Sequence, residues 1–275
     1  MPVAIITGAS KGLGRALATA LAARGWDLVV DARSAGPLEE AARGLRGSGT
    51  RVVALPGDVA DSGHRAELVA AACELGGLDL LVNNASVLGA APLVRLAEHP
   101  LTGLRDALEV NVVAPLGLVQ EALPLLRKSL HFSLPAEGAA NRDSSPYTGT
   151  EGDAYIGTGG AVLHISSDAA VEAYETWGGY GASKAALDQL SAVLAEEEPE
   201  LRVWWVDPGD MRTDLYAAAV PTDDDSGRPL PDTVVPALLG LLDGRAASGR
   251  YRAVDLPAGP VAPGDASSPT PEGAR

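Results

Sequence analysis

In the stretch "YGASK", Tyr180 stands four residues before Lys184, at the head of an Ala- and Leu-rich segment with helical periodicity. A spacing of four puts both side chains on one helical face. A phenol that trades a proton with a bound oxygen near neutrality must fall by about three units from its usual ~10, or ~4 kcal/mol. One ammonium ~4 Å away, at an effective dielectric of ~20, supplies about that much. The pair therefore reads as a device for general acid–base chemistry, to be set against an ordinary exposed pair on a helix.

A second constellation lies at the N-terminus. "TGASKGLG", residues 7–14, follows a short apolar run and opens a helical stretch, with Gly8, Gly12 and Gly14 spaced around Ser10, Lys11 and Leu13. Glycines there let the backbone turn and approach a pyrophosphate, and the free N–H groups of a helix start favour its charge. Without a ligand the same spacing is a tight turn; directly after a first strand it points to a dinucleotide. The second apolar run ends "VVDARS", where an acid would accept from a ribose 2′-hydroxyl and a base would pair with a 2′-phosphate. Arg33 and Lys11 favour the phosphate, hence NADP(H) over NAD(H), while Asp31 argues for the hydroxyl unless it is simply a solvated strand end.

The elements that must position these groups alternate. "VAIIT", "DLVVD", "RVVAL", "LDLLV", "AVLHIS" and "LRVWWV" are short and apolar on both faces, with "RYRAVDL" as a seventh candidate. Such strands belong in a covered parallel sheet. Helix-period stretches ending in Gly or Pro separate them, which predicts an α/β fold: a Rossmann-type, doubly wound parallel sheet of about seven strands with helices on both faces. One domain is expected over residues 1–256. Within it, residues 129–160 form an irregular insertion, read as either a lid or a mobile surface loop. Residues 257–275, rich in Pro, Gly, Ala and Ser, read as a disordered tail. The acidic run at 196–200 reads as a solvated helix end.

With 36 acidic against 21 basic side chains, a formal charge of −15 repels phosphate backbones and anionic membranes, so no nucleic acid or membrane partner is expected. A single cysteine, Cys73, excludes an intrachain disulfide and a thiolate metal cluster. The four histidines lack metal-ligand spacing. Without a basic leader or an unbroken apolar run of about 18 residues, the chain reads as cytoplasmic.

Taken in order, "TGASKGLG", "GDV" at 57–59, "NNAS" at 83–86, "VNVVAP" at 110–115, "ISS" at 165–167, "YGASK" at 180–184 and "DPGDMRT" at 207–213 resemble the short-chain dehydrogenases/reductases over roughly residues 3 to 255. The resemblance implies Tyr180 as acid/base, Lys184 as its partner and a ribose contact, Ser167 on the substrate oxygen, and Asn111 organising a relay water. It also implies adenine contacts at Asp58 and Val59, cofactor-lining positions at Asn83 and Ala85, and nicotinamide-side contacts at Pro208, Gly209 and Thr213. A homodimer or homotetramer, built partly on the helix around residues 109–128, is implied too. Ser86 stands where the family more often has glycine, Asp207 where it more often has asparagine. Ala32 occupies the position where NAD-preferring members usually carry an acid.

Together these residues predict hydride transfer between a nicotinamide and a small-molecule carbonyl or secondary alcohol. The rival readings are an NADP(H)-binding sensor or scaffold without turnover, and an epimerase or dehydratase. Tyr174, Trp177 and Met211 are candidate pocket walls for an apolar or aromatic group, and His164 is expected to be a bonded core histidine.

Overall fold

The computed structural model describes residues 1–132 and 159–257. Among these residues, seven parallel strands form one sheet: β1 (Val3–Ile6), β2 (Asp27–Ala32), β3 (Val52–Pro56), β4 (Leu80–Asn83), β5 (Ala161–Ile165), β6 (Arg202–Asp207) and β7 (Gly249–Arg252). Their order is β3-β2-β1-β4-β5-β6-β7, so the winding reverses between β1 and β4 and opens a crevice at the carboxyl ends of those strands. All seven sequence-predicted strands are present.

Helices cover both faces because the strands are apolar on both. Ala4, Ile6, Leu28, Val30 and Leu163 point to one side, where α1 (Gly12–Ala23), α2 (Ala35–Arg46) and α8 (Val235–Gly244) pack. Val3, Ile5, Val29 and Val162 point to the other, beneath α3 (Ser62–Leu75) and α5 (Ala114–Leu126). Two-residue alternation thus feeds two separate cores. The remaining helices are α4 (Leu101–Leu108), α6 (Gly178–Glu197) and the short α7 (Asp214–Ala219).

Helices α4 and α5 are one continuous rod, Leu101–Leu126, interrupted by a π turn at Glu109–Val113. By length and composition this rod is apolar enough to cross a membrane; here Asn111, Leu118, Val119, Ala122 and Leu126 lie inside the fold. A π turn adds a residue to the helix and re-aims the side chains on it, and this one turns Asn111 fully inward.

Two expectations change. Phe132, assigned to the insertion, is core: it is 2% exposed, with its ring 5.9 Å from Trp204 and 6.4 Å from Trp26. The segment before it is tied down by Ser129 Oγ donating to Asp79 at 2.6 Å. At the other end, Gly160 N donates to the Leu126 carbonyl at 2.7 Å, so both described anchors sit at the amino ends of the strands, opposite the crevice. The choice between lid and mobile loop falls on residues outside the described ones, as does all but the first residue of the tail. Within the acidic run Glu198 is buried rather than solvated, because the Arg127 guanidinium receives it, with Glu200 alongside.

Candidate active site

The glycine loop leaves β1 and enters α1 at the mouth of the crevice. Gly8 adopts φ +67° and its N–H donates to Asp31 at 2.7 Å, a turn closed to most side chains. A Cβ at Gly14 would lie 2.6 Å from the Gly8 carbonyl oxygen and 2.5 Å from Asn84 Nδ2, so only glycine fits where helix and loop touch. Lys11 occupies the N-cap of α1 and makes no side-chain cap, so the first-turn N–H groups of Gly12, Leu13 and Gly14 have no side-chain partner from it. This cradle fits a dinucleotide phosphate. Leu13 takes part only through its backbone, its side chain being in the core.

The groups that choose the dinucleotide are sorted by burial. Asp31 is no solvated strand end; it is 1% exposed, and besides Gly8 N–H it engages His64 Nε2 at 3.1 Å. That hydrogen bond, outweighing burial, holds the His64 imidazole above its usual range. With a partner on each oxygen, Asp31 braces the glycine loop against His64. Arg33 is exposed at the end of β2. Lys11 reaches across the crevice to Asp214 at the start of α7, 2.6 Å away, a solvent-exposed pair of the kind that contributes at most ~1 kcal/mol and yields readily to a phosphate.

Asp58 is exposed and closes its own turn onto Ala60 N, while Val59 is buried and its carbonyl is held by Arg65 at 2.8 Å. Val59, Asn83 and Ala85 line one narrow crevice with Thr7 and Val110. Sequence reasoning missed Asn84 and Thr7: Asn84 Nδ2 donates to the carbonyls of Thr7 and Gly8, and Thr7 Oγ1 accepts from the N–H groups of Asn84 and Ala85. Asn83 instead meets His164 Nδ1 at 3.3 Å. On the far rim Gly209, at φ +74°, donates its N–H to Asp207, and Thr213 caps α7 through Tyr216 N with its methyl facing Gly12. Pro208 lies between Asp207 and Gly209 on this rim.

The chemistry-bearing side chains converge where β4, β5 and α6 meet. Tyr180 is buried, with Ser86 and Ser167 near its phenol. Burial pushes the phenol well above its usual value, with Asp168 and Asp207 pushing further and the two serines pulling back. Lys184 approaches the ring from the same helix, α6. Its Nζ lies over the ring, 5.6 Å from the centroid, and donates to the Ile165 carbonyl at 2.8 Å; burial lowers the lysine itself to about 8. Ser167 Oγ donates to Asp168 at 3.0 Å and accepts from Ala169 N.

Asn111 is a strut. Its Oδ1 accepts from Val87 N at 2.9 Å and from Ser86 Oγ at 3.1 Å, while its Nδ2 donates to the Val87 carbonyl and to Ser183 Oγ. The side-chain amide is thus spent on protein groups, and a relay water would have to use the backbone. Behind the site, Arg250 on β7 donates to Asp188 at 2.9 Å and to the Ser167 carbonyl at 3.0 Å, and Ser166 bonds the same Asp188. None of these supports has a local sequence signal, since each joins residues at least 22 apart.

Of the candidate walls, Trp177 stacks edge-on to Tyr180 at 5.8 Å and faces Tyr216 at 6.5 Å, Tyr174 is exposed and donates to Asp168, and Met211 packs against the core instead. His164 is the bonded core histidine expected, and burial, with Lys184 nearby, holds it down to about 3. Unfolding at pH below 6.5 lets it take up a proton that the fold refuses, so its effect is absent above 6.5 and stability falls as pH drops toward 3. At pH 5 the loss is about 2 kcal/mol. Urea denaturation at pH 7.5 and 5 should show His164→Gln losing less stability than the wild type by roughly that amount; equal losses would show the ring to be solvated.

The family model described as short chain dehydrogenase matches residues 2–131 and 153–224. Sepiapterin reductase of Bos taurus is 33% identical over 231 residues, covering 80% of this chain and 77% of its own. A short chain dehydrogenase from Shigella flexneri complexed with NADP superposes with a TM-score of 0.76 at 26% identity, over 92% of this chain and 97% of that one. An alcohol dehydrogenase from Thermococcus sibiricus complexed with 5-hydroxy-NADP gives 0.74 at 26%, over 92% and 95%. Profile, relatives and crevice agree, and the chain belongs to the short-chain dehydrogenase/reductase family of oxidoreductases.

Proposed function

We propose that the protein is an NADP(H)-dependent oxidoreductase acting on a carbonyl or secondary alcohol, with Tyr180 as acid/base. The observation that carries this reading is the convergence of Tyr180, Ser167 and Lys184 beside the glycine cradle. When bound, the dinucleotide supplies or accepts the hydride. The backbone of Gly8, Ser10, Gly12, Leu13 and Gly14 would hold its diphosphate, Arg33 and Lys11 its 2′-phosphate, Asp58 and Val59 the adenine end. Asn83, Ala85, Pro208, Gly209, Thr213 and Lys184 would flank the nicotinamide half.

In reduction, Tyr180 gives its phenolic proton to the substrate oxygen while the Ser167 hydroxyl donates to the same oxygen; oxidation runs these moves backwards. Leu88, Ala169, Ala219 and Trp177 beside Tyr180 support an apolar or aromatic substrate body. Asp168 and Asp207, which already oppose a phenolate, would oppose an anionic substrate as well. The same reading includes assembly as a homodimer or homotetramer, a cytoplasmic location, and neither nucleic acid nor membrane as partner.

The test is a spectrophotometric panel of neutral and carboxylated ketones and alcohols with NADPH and NADH in parallel. Neutral aromatic ketones with NADPH should turn over fastest, and Arg33→Ala should raise KM for NADPH about 10- to 100-fold while leaving NADH nearly unchanged. Tight NADPH binding without turnover on any compound would favour a sensor. Product formed without net NADPH consumption would favour an epimerase or dehydratase.

A further inference from the structure

We propose that His64 is a specificity residue for the dinucleotide, acting through Asp31: as an imidazolium it cancels the Asp31 carboxylate at the end of β2, so that a 2′-phosphate paired with Arg33 is not repelled from two residues away. The inference rests on the NADP(H) reading above. It starts from a buried acid–base pair that the proposed chemistry does not use.

The pair is built into the cofactor cradle. His64 Nε2 meets Asp31 Oδ2 at 3.1 Å, and Asp31 Oδ1 accepts the Gly8 N–H of the glycine loop at 2.7 Å. Gly57, which opens "GDV", lies so close to the ring that a Cβ there would fall 2.2 Å from Nδ1. Its N–H donates to the Ala32 carbonyl at 3.1 Å, joining the turn after β3 to the end of β2. Asp61 caps α3 and accepts from His64 N at 3.2 Å, which fixes the helical turn that presents the ring. One imidazole thus touches the end of β2, the turn after β3 and, through Asp31, the glycine loop.

A carboxylate at the end of the second strand suits a ribose 2′-hydroxyl and opposes a 2′-phosphate. Arg33, two residues on and exposed, brings one positive charge to that phosphate, and an uncompensated Asp31 would offset it. The imidazolium removes the conflict, because two opposite charges in contact leave little field beyond them. Among the described residues, the charged groups that face the ring all favour its charged form: Asp31 from β2, and Asp61 and Glu67 from α3, with Glu67 Oε2 4.0 Å from Nδ1. Arg65, the next residue, is engaged elsewhere, by the Val59 and Ala60 carbonyls and by Glu121. When the ring loses its proton, Nε2–H can still donate to Asp31. The geometry then stays and only the charge goes, which separates an electrostatic role from a structural one.

The experiment titrates the full-length protein, labelled with ¹⁵N-histidine, by NMR, with His64→Gln to assign the resonance. Without cofactor His64 should titrate above the usual ~6.5. Linkage is reciprocal, so saturating NADP⁺ should raise that titration by about one unit while NAD⁺ leaves it in place. The same coupling read by fluorescence titration at about pH 6.5 is a tenfold weaker hold of His64→Gln on NADPH, with NADH bound as by the wild type. The 2′-phosphate takes its own second charge near pH ~6, so variant and wild type are compared at each pH. The gap should close above the His64 titration, where the wild-type ring is neutral too. In an Asp31→Asn background there is no carboxylate to cancel, and adding His64→Gln should cost no further NADPH affinity. A His64 titration unmoved by either cofactor overturns the proposal, and so does an equal rise with both, which would be the diphosphate acting. NADP⁺ bound no better than NAD⁺, with Arg33→Ala changing neither, would overturn the cofactor choice itself; a clear NADP⁺ preference beside an unmoved His64 overturns this inference alone.

Discussion

Tyr180→Phe is expected to lower kcat by about a thousandfold, the usual scale of one well-placed general acid, with affinity for NADPH within about threefold of the wild type. The phenylalanine ring keeps the contacts that place it, edge-on to Trp177 and packed with Leu88 and Ala169. What disappears is one hydroxyl, and its neighbours have other partners: Ser86 has Asn111, Ser167 has Asp168, and Lys184 has the Ile165 carbonyl. No buried polar group is left stranded, so the thermal midpoint should scarcely move. Steady-state kinetics and cofactor fluorescence titration read the two quantities separately. Turnover surviving in the variant would remove Tyr180 from the chemistry, however well the rest of the site is assembled.

Phe132→Ala should cost about 3–5 kcal/mol, the range for truncating a fully buried aromatic ring. The ring is wedged among Trp26, His131 and Trp204, with centroid separations of 6.4, 4.9 and 5.9 Å, beneath the sheet face that α1 and α8 cover. That region lies at the amino ends of the strands, away from Tyr180. A urea midpoint that drops by this amount at unchanged kcat would confirm a purely architectural ring; a cost below about 1 kcal/mol would mean that the pocket collapses without it.

These two residues mark what could be read from the chain. Strands with runs of apolar residues, such as "VAII" and the "LLV" of β4, announce a covered parallel sheet because both faces of such runs can be buried. The glycine loop and the Tyr180–Lys184 pair were equally legible, since each is fixed by spacing within one or two turns of backbone. Phe132 was not: one aromatic residue among turn formers has no period, and its burial depends on Trp26, just before β2, and Trp204 in β6 arriving from distant parts of the chain. The burial of Asp31 was not legible for the same reason, its partner His64 being 33 residues on. Spacing alone does not show the burial of Tyr180 and Lys184, which pushes the phenol up and the lysine down.

The bond from Arg250 to the Ser167 carbonyl ties the last strand to the working face. Anyone trimming the C-terminus of this enzyme for crystallisation or fusion therefore faces a hidden boundary. A cut that spares every reacting side chain but removes β7 would unclasp Ser167, the serine proposed to meet the substrate, so the shortest useful version of the protein is set by a tether and not by its list of reactive groups.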